Sequence, residues 1–151
     1  MTLNAELLRS SFTTAIDRQP AITPRFYEIL FSRYPQVKPL FGGNSARAQQ
    51  EMLQQALAAV IDHLDDASWL AATLAALGAK HVGYGVTLEM YDWVGVALLA
   101  TLAEILQEEW TEEVARQWQL AYGVIRDLML EGMAGVQTTP PAGALRTAAA
   151  S

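Results

Sequence analysis

The chain has 151 residues, 52% of them hydrophobic, with 10 Lys and Arg against 16 Asp and Glu for a formal charge of −6, and it contains no cysteine. One domain of this length buries roughly 70% of its unfolded surface, which leaves no material for a second core. The few, scattered cations argue against nucleic acid and anionic membrane as partners, and the missing thiols exclude disulfides, Cys-ligated zinc and iron-sulfur clusters.

The N-terminal Met1-Thr2-Leu3-Asn4-Ala5-Glu6 has no basic region followed by an apolar run, and no stretch reaches the roughly 18 apolar residues of a membrane span, so a soluble, unexported, cytoplasmic protein is expected. Nearly every segment shows 3.6-residue periodicity, and no β-hairpin signal interrupts it. A first helix is predicted from Asn4 to Arg18, stopped by Gln19-Pro20. Thr23 caps a second, with Pro24 at its first position and its end at Tyr34-Pro35. A turn-rich piece leads to Phe41, and Gly42-Gly43 resets the chain for a third helix over Ala46 to Leu64. Asp65-Asp66 breaks that helix and caps a fourth, Ala67 to His81. Thr87 caps a fifth reaching Glu109, and Thr111-Glu112-Glu113 opens a sixth lasting to about Ala134. The domain is expected to occupy residues 1–135, with 136–151, rich in Thr, Pro, Gly and Ala, a disordered tail.

His81 is one of two histidines. Leu70, Leu74, Leu77 and His81 recur at steps of four, three and four, so the imidazole points into the core, either as a packed core residue or as a metal ligand. If it is a ligand, its second ring nitrogen needs an acceptor, and the Leu77 carbonyl one turn back is the nearest, with Gly78 leaving space. Gln49 and Leu53, at i and i+4, share a helix face, where Gln49 is either a solvated residue or a group facing an iron, and Gln50 is equally eligible. Tyr27 is either a buried aromatic bonded to a nearby carbonyl or a hydrogen-bond donor to a ligand. His63, fourteen residues beyond Gln49, lies about 21 Å further along the helix and is too distant to serve the same iron. Trp69, Trp93, Trp110 and Trp118 read as packing residues.

Taken together, Phe41, Gln49, His81 and Trp118-Gln119-Leu120-Ala121-Tyr122-Gly123-Val124 resemble a haem-binding globin. The likeness covers roughly residues 5–134 and is closest to bacterial single-domain globins related to flavohaemoglobin haem domains, with some similarity to neuroglobin-type chains. It implies an all-α globin fold of six to eight helices sandwiching haem b. His81 falls at the family's proximal histidine, Phe41 at the phenylalanine wedged against the haem, and Gln49 at the distal position, where a slip of register would substitute Ala48 or Gln50. Leu53 lies one turn later, and Tyr27 matches the second-helix site of the distal tyrosine in oxygen-avid members. Leu77, Lys80, Val86 and Tyr91 complete the implied cofactor-binding set. The resemblance implies binding of O2, NO and CO, with Tyr27 and Gln49 as donors that slow oxygen release, and oxidation of nitric oxide to nitrate when an external electron donor or reductase is present. The chain has no Gly-x-Gly-x-x-Gly fingerprint of a fused reductase. Flavohaemoglobins also pair the proximal tyrosine, here Tyr91, with a glutamate on the last helix, and counting from Tyr122 places Gly135 there, which weakens the case for a dedicated dioxygenase. A gas or redox sensor module and a haem-free signalling scaffold are the competing readings; the second leaves His81 unexplained.

Overall fold

The computed structural model describes residues 3–41, 46–83 and 86–138, and all regular structure among them is helical. Six α-helices run α1 Ala5–Arg18, α2 Ile22–Arg33, α3 Ala46–Asp62, α4 Ala67–Gly83, α5 Leu88–Leu106 and α6 Glu112–Thr138, with 3-10 helices at Pro35–Phe41 and Gln107–Glu109. Local chemistry accounts for most of the ends. Asn4 caps α1 by accepting from the Leu7 N–H, Asp66 caps α4 from Trp69 (3.1 Å), and Thr111 caps α6 from Val114 (3.2 Å). Gln107, at φ 50° and ψ −113°, turns the chain out of α5 with a positive φ, and Arg18 donates to the carbonyls of Ile105 and Leu106 at that helix end.

Several boundaries differ from expectation: α3 stops at Asp62 and not Leu64, α4 continues past His81 to Gly83, and α5 gives way after Leu106 to the 3-10 helix that ends at Glu109. Helix α2 starts at Ile22, so Thr23 is inside it and 3% exposed, while Ala21 occupies the cap position with no side-chain bond. Pro24 then lies third in the helix, where its missing N–H is still one of the four without an intrahelical acceptor, so the earlier start costs no hydrogen bond. Helix α6 runs to Thr138, three residues past the expected edge of the domain; the remainder of the expected tail, 139–151, lies outside the described residues.

The main core joins α1, α2, α5 and α6 around Leu8, Ile22, Leu30, Leu102 and Trp118. Trp118 reaches back to α1, where its Nε1 donates to Ser11 Oγ at 2.9 Å. A second cluster, including Val60, Leu70, Leu74, Tyr91, Met129 and Met133, lies between α4 and α6, which make the most extensive pairing among the described helices. That pairing is unusually close because two glycines face the opposite backbone. A Cβ on Gly78 would stand 2.0 Å from the Met129 carbonyl oxygen, and one on Gly132 would stand 1.9 Å from that of Ala75. The approach sets how deeply α4, and the histidine near its end, sits against the bundle. Among the described residues no helix is long and apolar enough to cross a membrane.

Candidate functional site

A cavity of about 230 Å³ opens between the two clusters, with walls from α2, the Pro35–Phe41 turn, α3, α4, α5 and α6. Phe26, Leu30, Leu53, Leu57, Leu74 and Leu98 are typical of its lining, and His81, Tyr91 and Tyr122 are the only polar side chains among the described wall residues. Such walls hold water poorly and favour an apolar ligand with few anchoring polar contacts.

Among these polar side chains His81 carries the group best suited to ligate a metal. Its Nδ1 lies 2.7 Å from the Leu77 carbonyl oxygen, the acceptor one turn back that helical spacing anticipated. A carbonyl can only accept, so the proton is on Nδ1 and the ring's lone pair, the one able to ligate a metal, is on Nε2. Burial holds the imidazole pKa below its ordinary value and so favours the neutral ring, opposed in part by the Leu77 bond. Val86, between α4 and α5, lines the cavity and its N–H donates to the His81 carbonyl at 3.4 Å, closing the end of α4 over the site.

Leu53, Leu77, Val86 and Tyr91 all line the cavity with His81, as their proposed contact with a cofactor requires. Lys80 is exposed at the end of α4 and contributes nothing to the wall, because it faces away from the stripe that carries Leu77 and His81. Tyr27 is half-buried on α2, its ring edge-on to Phe26 at 5.0 Å and tilted against Phe31 at 5.7 Å. Phe26 and Leu30, to either side of it in sequence, line the cavity, whereas Tyr27 is not among the wall residues. Burial pushes its phenol up to about 12, so the hydroxyl remains protonated and able to donate at neutral pH. The side chains of Phe41 and Gln49 lie outside what is described; the Phe41 backbone ends the 3-10 helix and that of Gln49 belongs to the first turn of α3.

The structure adds residues that sequence reasoning passed over. Tyr122 lines the cavity and donates through its hydroxyl to the Tyr91 carbonyl, and its ring packs where Gly95 leaves room. The residue of α6 that meets the Tyr91 hydroxyl is Met133, whose sulfur accepts at 3.1 Å, not Gly135. The register follows from helical geometry: Trp118, Tyr122, Ile125, Met129 and Met133 recur at steps of four, three, four and four, and Gly135 falls off that stripe. The same periodicity, read on α6 as it was on α4, is the signal that could have found them. His63, in the turn after α3, stacks on Trp69 with ring centroids 3.7 Å apart and is absorbed by packing.

A family model described as Globin matches residues 24–129. The flavohemoprotein of Bordetella pertussis is 34% identical over 126 residues, which cover 82% of this chain and 31% of that protein. The chain thus spans about a third of the length of the curated relatives it matches. Among solved structures, an engineered carbene transferase built on RmaNOD of Rhodothermus marinus superposes with a TM-score of 0.78 at 28% identity, covering 90% of this chain and 96% of that one. A bacterial globin of Campylobacter jejuni shares the fold with a TM-score of 0.77 at 23% identity, covering 89% and 97%. With its helices, its inward histidine and the family match over most of its length, this chain belongs to the globin family.

Proposed function

We propose that the chain holds haem b in the cavity, that His81 would coordinate its iron, and that the loaded protein binds dioxygen, nitric oxide and carbon monoxide. The observation that carries this reading is the His81 imidazole at the wall of a largely apolar cavity, its Nδ1 proton committed to Leu77 and its lone pair on Nε2. The donor set fits the group: one neutral imidazole nitrogen for the iron and aliphatic and aromatic walls for the faces of a macrocycle. Bound there, haem would supply a reducible iron at which a gas is taken up and at which nitric oxide and dioxygen combine to nitrate with one electron returned by an external donor.

The chain's own residues have three tasks in this scheme. Leu77 and Val86 fix the tautomer and height of His81. The apolar walls exclude water, which strengthens every polar contact inside. The donors assigned to a bound gas are Gln49 and Tyr27, the latter beside the wall residues Phe26 and Leu30 with a hydroxyl that stays protonated. The chain's relatedness to flavohemoproteins, and its likeness to a protein titled a putative nitric oxide dioxygenase, supports nitric oxide oxidation with electrons returned by a reductase. Absorption spectra of the purified protein, oxidised and reduced, with and without carbon monoxide, test the proposal alongside His81→Ala. Haem retained at full occupancy in the variant, with an unchanged ferrous spectrum, would refute it.

A further inference from the structure

The first turn of α5 holds a sulfur where helices ordinarily place an oxygen. Thr87 precedes the helix, and three residues on, where a capping box puts Glu or Gln to accept the backbone N–H of the cap residue, the chain has Met90. Its Sδ accepts from the Thr87 N–H at 3.4 Å, in a bond exposed to solvent. Met90 also lines the cavity, with Val86 and Tyr91, and is half-buried against the main core. No other described methionine combines these two settings. Met129 lines the cavity and Met133 accepts from Tyr91, but they are only 7% and 5% exposed, while Met52 is 53% exposed and is no part of the wall.

A thioether is a weak acceptor that an oxidant converts into a polar sulfoxide, and methionine sulfoxide reductases reverse the change. We propose that Met90 is a site of reversible oxidation by hydrogen peroxide, and that its oxidation controls how tightly the cavity holds its cofactor. The sulfur lone pair attacks one peroxide oxygen, so that the S–O bond forms as the O–O bond breaks. The hydrogen of the transferred oxygen leaves with the departing hydroxide as water; sulfur is oxidised by two electrons and peroxide is reduced by two. The new oxygen is an acceptor that an apolar wall cannot satisfy, and the donor at hand is the Thr87 N–H that the sulfur already holds. Oxidation therefore draws the side chain toward Thr87 and solvent and out of the wall. The affected turn adjoins Val86, whose N–H donates to the His81 carbonyl, so the part of the wall that loosens is the part that closes over the histidine. The inference rests on the haem-binding reading above.

The test uses the full chain with haem bound. The ferrous carbon monoxide form, in which the gas keeps peroxide off the iron, is treated with hydrogen peroxide, freed of it and made ferric with ferricyanide. Sulfoxide at each methionine is measured by peptide mass spectrometry, and haem loss by the rate of transfer to excess haem-free myoglobin. Met90 is expected to be oxidised well before Met129 and Met133, and haem loss to quicken about fivefold or more, as for a polar group left unsatisfied at an apolar wall. Methionine sulfoxide reductases for both sulfoxide epimers should restore the untreated rate. Met52→Leu keeps the whole response, because Met52 stands outside the wall, and Met90→Leu loses it. Untreated Met90→Gln, with an oxygen acceptor in place of the sulfur, releases haem faster than untreated Met90→Leu by a similar factor. Met90 left unoxidised while Met129 or Met133 reacts overturns the proposal, as does full oxidation of Met90 with haem release unchanged, a full response in Met90→Leu, or equal release from Met90→Gln and Met90→Leu. Should the Met90 variants fail to fold, a wild-type rate that the reductases do not restore overturns it independently. A wild-type protein that takes up no haem refutes the haem-binding reading instead.

Discussion

Replacing Gly78 with alanine sets two physical effects of opposite sign against each other. On helix propensity alone, alanine inside α4 stabilises by about 1 kcal/mol. The structure predicts the reverse. The new Cβ would lie 2.0 Å from the Met129 carbonyl oxygen, 2.6 Å from its carbon and 2.8 Å from its Cα, all backbone atoms of another helix that no rotamer change can move. Restoring ordinary contact requires α4 and α6 to separate by more than about 1 Å, at an overpacking cost near or above the top of the usual range of about 1 to 3 kcal/mol. The net expectation is a loss of about 2 kcal/mol, which lowers the melting temperature by roughly 5 to 10 °C for a domain of this size. Because His81 lies three residues beyond Gly78, the separation also displaces the imidazole, and haem affinity should fall by about 10- to 100-fold, the range seen when support for a ligating histidine is lost. Gly123→Ala is the internal control: nothing lies within 4 Å of its Cβ position, so there propensity acts unopposed and the melting temperature should rise by a few degrees. Circular dichroism melts of the haem-free forms and a haem titration of each variant measure both effects. If Gly78→Ala proves as stable as wild type while Gly123→Ala behaves as expected, α4 and α6 are not in backbone contact and the account of how the histidine is placed fails.

Further outcomes follow from the same geometry. Tyr27→Phe should raise the oxygen dissociation rate by about tenfold, as for the loss of one hydrogen bond to a charged group, with a smaller change for carbon monoxide; stopped-flow rates that change equally for both gases would make Tyr27 a packing residue. Burial depresses the His81 pKa, so the unfolded chain binds that proton more readily than the folded one: the stability of the haem-free protein should be full above the unfolded histidine range near 6.5 and decline as pH falls through that value toward the folded pKa. Denaturant titrations between pH 7.5 and 5 test this, and His81→Gln should flatten that dependence; an unchanged slope in the variant would assign the titration elsewhere. Trp118→Phe removes the buried bond to Ser11 Oγ and should cost about 1 to 2 kcal/mol by denaturant unfolding, and a loss below about 0.3 kcal/mol would show that the indole contributes by packing alone.

What the amino-acid order determined by itself is the chemistry that repeats every turn. The Leu70, Leu74, Leu77, His81 stripe, the Leu77 carbonyl as the partner of Nδ1, and the caps at Asn4, Asp66 and Thr111 all depend on groups three or four residues apart, and helical geometry brings such groups together whatever the rest of the chain does. Where local signals compete, the outcome needed more than spacing. Thr23 followed by Pro24 reads as a cap, yet the helix begins at Ile22 and buries Thr23 in the bundle. Only the tertiary structure decided what meets across helices. Tyr91 and Met133 are 42 residues apart, Gly78 meets Met129 and Gly132 meets Ala75, and Lys80 is left outside a wall that its neighbour His81 enters. Those pairings depend on the crossing and separation of α4, α5 and α6, which the close packing of all their side chains sets jointly and no single segment encodes.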